Sequence, residues 1–182
     1  MKITDNLALT FKVGDMDVYH TPLSREAFEA SYRLIAATKA VLFDTTDQSL
    51  VMDGHILALL TLKDEGARLA AKRGEEGDGG AEALIKELTR LTMVFAPDME
   101  LTPVSSAGID PDEWQEALSD LVFFTVIYAL ARKAEKRQRA ASAAAMLDFS
   151  ITSLSPEEWT RSLKTLTKPE TTAKKAASSV PV

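Results

Sequence analysis

The chain has 182 residues, no cysteine, two histidines and a formal net charge of −6, with 46% hydrophobic and 26% charged residues. That length suffices for one full core, and the balance of apolar and charged residues is that of an ordinary globular protein. The lack of cysteine excludes disulfides and thiolate chemistry, a zinc site would have to be built largely from carboxylates, and the acidic balance argues against wholesale nucleic-acid binding.

The opening stretch "MKITDNLALTFKV" carries one early lysine and then alternates apolar with polar residues. It lacks the continuous apolar run of a signal peptide, so a cytoplasmic location is expected. Within it Leu7, Leu9, Phe11 and Val13 share one parity, and Gly14 with Asp15 can supply the positive φ of a two-residue turn. A β-hairpin is therefore expected. An isolated hairpin is marginal in water, so its apolar face requires a covering helix or further strands, from this chain or from another copy.

After Thr21 and Pro22, the spacing of Phe28, Tyr32, Ile35 and Leu42 predicts a helix from about Ser24 to Phe43, with Ser24 as N-cap and Leu23 stapled against Phe28. Met52, Ile56, Leu59, Leu60 and Ala67 predict a second helix, ended by the glycines and charges of "KRGEEGDGGAE". Leu84, Leu88, Leu91 and Phe95 predict a third that stops before Pro97, followed by a loop, "PDMELTPVSSAG", long enough to merit a functional test.

A fourth helix starts at Asp110 as N-cap, with Pro111 at the first helical position and Glu113 placed to complete a capping box. With no glycine or proline to stop it, this helix is expected to run to about Leu147, roughly 55 Å at 1.5 Å per residue, so its far end must project or bend. The same capping grammar recurs at Ser155, Pro156 and Glu158, which shared capping chemistry explains without an internal repeat. From residue 165 the sequence has few large apolar side chains to offset ordering entropy. The expected organisation is a single mainly helical α+β domain over residues 1–164, with an N-terminal β-hairpin and four or five helices, and a flexible tail over 165–182.

Eleven almost wholly apolar residues, Leu121 to Ala131, precede a segment with five basic residues in eight, Arg132 to Arg139. A membrane span needs about 20 apolar residues, so no membrane insertion is expected. A helix buried on all sides is one reading. Another is a helix with a second stripe, including Phe123, Phe124 and Ile127, covered by another subunit or a client. Arg132, Lys133, Lys136, Arg137 and Arg139 would keep the far end solvated and complement a negative helix C-terminus, or would dock on an acidic protein surface. Nucleic-acid binding lacks the interleaved aromatic residues that would support it. The candidate partner-binding residues are accordingly Phe123, Phe124, Ile127, Arg132 and Lys136.

No catalytic constellation emerges. The acids of "EEGDGGAE", Asp44 with Asp47, and Asp110 with Asp112 fall in expected loops or caps, without the dry concave site that would tune them. The glycine-rich segment lacks the lysine and hydroxyl of a phosphate loop and the spacing of a calcium loop. Ser105 and Ser106 have no adjacent histidine. No catalytic residue, metal or cofactor is expected, and no enzyme.

Four segments in order, "MKITDNLALTF", "VYHTPLSREAFEASYRLIAATKAVLF", "LVFFTVIYALARKAE" and "ITSLSPEEWTRSL", make the chain resemble a tail assembly chaperone of long-tailed, non-contractile bacteriophages. The resemblance implies a non-enzymatic protein of the host cytoplasm, absent from the mature virion. Such a protein binds the tape measure protein, keeps it soluble and helps tail tube protein gather on it. Homo-oligomers are compatible with that role. The resemblance also implies a longer frameshifted product, with which the adjacent Lys174 and Lys175 are compatible. The alternative is a structural virion subunit or another cytoplasmic interaction module, which virion proteomics would discriminate.

Overall fold

The computed structural model describes residues 1–4, 7–43, 48–95 and 101–151. Their order is β1 (Lys2–Ile3), β2 (Leu9–Val13), β3 (Met16–His20), α1 (Arg25–Leu42), α2 (Gln48–Lys72), α3 (Ala81–Arg90), β4 (Thr92–Phe95), β5 (Leu101–Pro103), a 3-10 turn (Val104–Ser106), α4 (Pro111–Tyr128) and α5 (Lys136–Ile151). The class is α+β and mainly helical. One compact unit spans Met1–Ser150. The expected tail at 165–182, the adjacent lysines in it and the second Ser-Pro cap lie outside the described residues, as does the Asp44–Asp47 pair.

The hairpin forms as its pattern requires. Leu9 pairs with His20, Phe11 with Val18 and Val13 with Met16, around a turn in which Gly14 has φ 54°. It does not stand alone, because β1 and β4 extend it and β5 closes a five-stranded antiparallel sheet in the order β1-β2-β3-β4-β5. Strand β4 corrects the expected third helix, which ends at Arg90. Thr92, Val94 and Thr102 continue the inner row begun by Phe11, Val18 and His20, so Phe95 belongs to a strand and pairs with Asp17 and Leu101. The β-branched and aromatic side chains of "TMVF" suit a pleated surface at least as well as a helix end. The stretch expected to be a single loop likewise contains β5 and the 3-10 turn.

Period two then separates the faces. Leu9, Phe11, Val13, Val18, His20, Thr92 and Val94 are buried on the inner face. The outer face carries Thr10, Lys12, Asp17, Tyr19, Met93, Phe95, Leu101 and Pro103.

The helix starts follow the local signals. Ser24 accepts a hydrogen bond from the N–H of Ala27 at 3.1 Å, and Asp110 accepts from Asp112 and Glu113 at 2.9 and 3.3 Å. The carboxylate of Glu113 lies over Gly14, where a Cβ would come within 2.8 Å of it, so the first turn of α4 meets the hairpin turn. Buried Leu34, Ile35, Thr38 and Leu42 form the inner stripe of α1, while Tyr32 faces outward beneath the Arg33 guanidinium. In α2 the buried apolar side chains include Ala58, Leu59, Leu62 and Ala70, and the Glu65 carboxylate is buried beside Arg68. Ile56 and Leu60, part of the periodic run that predicts this helix, stand 62% and 60% exposed, because α1 and α4 cover the other sides of it.

The single helix expected from Asp110 to Leu147 is two. α4 stops at Tyr128, and α5 starts at Lys136. Between them the N–H of Ala131 reaches the carbonyl of Tyr128 at 3.0 Å, and those of Glu135 and Lys136 reach Arg132 at 2.8 and 3.0 Å. No glycine or proline causes this break. Its physical reason is burial: Ala140, Ala143, Ala144 and Leu147 recur at helical spacing and all enter the core, which a straight continuation away from the domain would deny them.

Candidate partner-binding surface

Helix α4 runs through the core of the unit Met1–Ser150. Leu121, Val122, Phe123, Phe124, Val126, Ile127 and Tyr128 are all nearly inaccessible. Phe123 stacks on Phe43 with ring centroids 5.9 Å apart and meets the His55 ring edge-on at 6.3 Å, while a Cβ on Gly54 would come within 3.3 Å of it. Phe124 packs on Tyr128 at 4.7 Å. The core therefore takes Phe123, Phe124 and Ile127. A partner could reach them only by prising elements of this unit apart.

Two polar contacts lock α4 against its neighbours, and neither was visible in the sequence pattern. Ser119 accepts from the N–H of Leu59 at 3.1 Å and stands 2.7 Å from the carbonyl of His55. The phenol oxygen of Tyr128 accepts from the N–H of Leu23 at 3.1 Å, and burial pushes the phenol up to about 12. The second bond ties the end of α4 to the entry of α1 across more than a hundred residues of chain.

The basic segment sits at the break. Arg132 is exposed and Lys136 partly exposed. The expectation that these cations complement a helix C-terminus holds only for Arg132 and Lys133, which follow α4. Lys136, Arg137 and Arg139 occupy the first turn of α5, which has no acidic residue, so they oppose its dipole. The charge of Arg139 also lowers the pKa of Lys39 on α1, after burial of that ammonium as the larger cause.

Lys133 and Lys136 border a groove whose other walls are Leu23, Ser24, Arg25, Phe28, Tyr128 and Ala129. Leu23 and Phe28, the expected staple, both pack against the core here. Among the described residues, two further pairs of apolar side chains stand outside the core, besides the singly exposed Tyr32 and Met146. One is the pair Ile56 and Leu60, one turn apart on α2. The other is the outer sheet row in which Phe95 and Leu101, 38% and 54% exposed, pair across β4 and β5.

Among the described residues, the titratable groups make no converging acid pair in a groove. Asp120 is a strongly perturbed carboxyl, raised to about 7 by burial first and then by Glu116 one turn back, against a smaller opposing pull from the N-terminal ammonium. Among the described residues, no group of three His, Asp or Glu side chains could hold a metal ion, and no helix is long and apolar enough to cross a membrane. Compared with known proteins, the chain matches no family model, no curated protein and no solved structure.

Proposed function

We propose that this chain is a tail assembly chaperone of long-tailed, non-contractile bacteriophages, which binds the tape measure protein, keeps it soluble and promotes tail tube assembly without catalysing a reaction. The observation that carries this reading is the exposure of Ile56 and Leu60, one helical turn apart on a helix whose other side is packed. A client helix laid along that stripe would bury its own apolar face against them. The order of the four sequence segments that resemble this family supports the same role.

The test uses residues that the core does not need. Ile56→Asp with Leu60→Asp should leave circular dichroism and the thermal midpoint unchanged and should reduce co-purification of the tape measure protein at least about tenfold. A folded double variant that captures the client as well as the parent refutes the reading. Finished particles should contain no copy of the chain. Finding it there at a symmetric copy number would instead make it a structural subunit.

A further inference from the structure

Where α1 begins and α4 ends, an open groove of about 430 Å³ separates them. Its accessible apolar lining is Leu23 and Phe28, both partly exposed, and its basic lining is Arg25, Lys133 and Lys136; Tyr128 and Ala129, which also border it, are nearly inaccessible. Arg25 already shares its charge with Glu29 at 2.7 Å. Among the described residues neither Lys133 nor Lys136 forms an ion pair. In a chain of net charge −6, these two cations beside an apolar trough are a local inversion of sign. The exposed pair on α2 and the outer sheet face show no such bias, so they do not specify the chemistry of an occupant. The groove does. Apolar side chains fit against Leu23 and Phe28, and carboxylates beside Lys133 and Lys136 would neutralise two unpaired ammonium groups next to low-dielectric surface.

We propose that this groove takes an acidic amphipathic segment of a partner polypeptide, with apolar side chains on Leu23 and Phe28 and carboxylates on Lys133 and Lys136. Naming that partner as the tape measure protein rests on the chaperone reading above; the chemistry of the groove does not.

Fluorescence anisotropy on the full chain tests it with a labelled amphipathic peptide of about 15 residues, leucines one turn apart and glutamates flanking them, against the same peptide with glutamines. The glutamate peptide should bind at least about tenfold tighter, and the preference should fade with added salt. Lys133→Glu with Lys136→Glu should abolish the preference while leaving circular dichroism unchanged. Should that pair unfold the chain, Lys133→Gln with Lys136→Gln carries the same test. Equal affinity for the two peptides, no binding of either, or a preference that survives the charge change overturns the proposal. So does a wild-type chain that self-associates through this groove in sedimentation and is not dissociated by the glutamate peptide. Co-purification separates the two readings. If the chain prefers the glutamate peptide but ignores the tape measure protein, the groove stands and the chaperone reading falls. Capture of the tape measure protein together with equal binding of the two peptides does the reverse.

Discussion

Gly66 in α2 and Gly79 in the loop before α3 meet backbone to backbone. A Cβ on Gly66 would stand 2.1 Å from the carbonyl oxygen of Asp78, and one on Gly79 would stand 2.1 Å from the carbonyl oxygen of Gly66. Asp78 itself caps α3 by accepting from the N–H groups of Gly80 and Glu82, which holds its carboxyl below the usual range. The glycine-rich segment thus seats the start of α3 against the side of α2, a role that composition alone assigns to solvated loop.

Gly66→Ala tests that contact because two effects of opposite sign compete. Helix propensity favours alanine in a helix interior by about 1 kcal/mol. Here the added methyl meets backbone, which cannot rotate away, and the overpacking should outweigh propensity for a net loss of about 1–3 kcal/mol. Urea unfolding measures the balance. A midpoint equal to or above that of the parent would show that α2 and the loop are not in contact in solution.

Tyr128→Phe removes one oxygen and keeps the ring that borders the groove. The N–H of Leu23 then loses its partner in a partly buried setting, at a cost of about 1–2 kcal/mol. Protection of that amide against hydrogen exchange should fall while the α4 amides remain protected. Unchanged protection at Leu23 would mean that water already serves it.

Local chemistry was the part of this fold open to a reader of the sequence. The Ser24 and Asp110 caps and the Gly14 turn each depend on residues within a few positions of one another, and each formed. Competing periodicities hid β4, because Leu84, Leu88, Leu91 and Phe95 satisfy helical spacing while Thr92 to Phe95 also alternate. What decides for the strand is its pairing with β3, and sequence spacing carries no trace of that partner. In α2 the neighbours Ile56, Leu59 and Leu60 offer more than one apolar face, and only the placement of α1 and α4 selects which is buried. Of the candidate partner residues, Lys136 reaches the groove because the chain breaks between helix-forming residues, a tertiary effect that propensity opposes.

His20 should make the fold sensitive to mild acid. Thr92 gives its hydroxyl proton to the carbonyl of Leu88 at 2.8 Å, so the imidazole Nδ1, 2.8 Å from the same oxygen, must be the donor. Nε2 is then a buried acceptor with no partner among the described residues, and burial drops the imidazole to about 4. The unfolded chain takes up a proton near pH 6.5 and the folded chain does not. Stability is therefore unaffected above about 6.5 and declines by on the order of 3 kcal/mol between there and about 4. His20→Leu, compared with the parent by urea unfolding at several pH values, should lose that component. A parent and variant with parallel pH profiles would contradict the assignment.

Asp120 pulls in the opposite direction, and the difference in sign distinguishes the two groups. Burial and Glu116 raise its carboxyl to about 7 in the folded chain, so the protonated form is the one the fold accommodates. Below the unfolded value near 3.8 both states are protonated and no penalty exists. As pH rises from there through about 7, the unfolded chain ionises first and the folded state loses stability, fully by about pH 8. The displacement from 3.8 to about 7 sets this loss on the order of 4 kcal/mol. Asp120→Asn cannot ionise, so it should raise the thermal midpoint at pH 8, change it little at pH 4, and expose the full acid sensitivity of His20 between them. If the asparagine variant is less stable than the parent at pH 8, then the carboxylate is stabilised in the fold by a cation that outweighs its burial, and the buried end of α4 is organised around an ion pair.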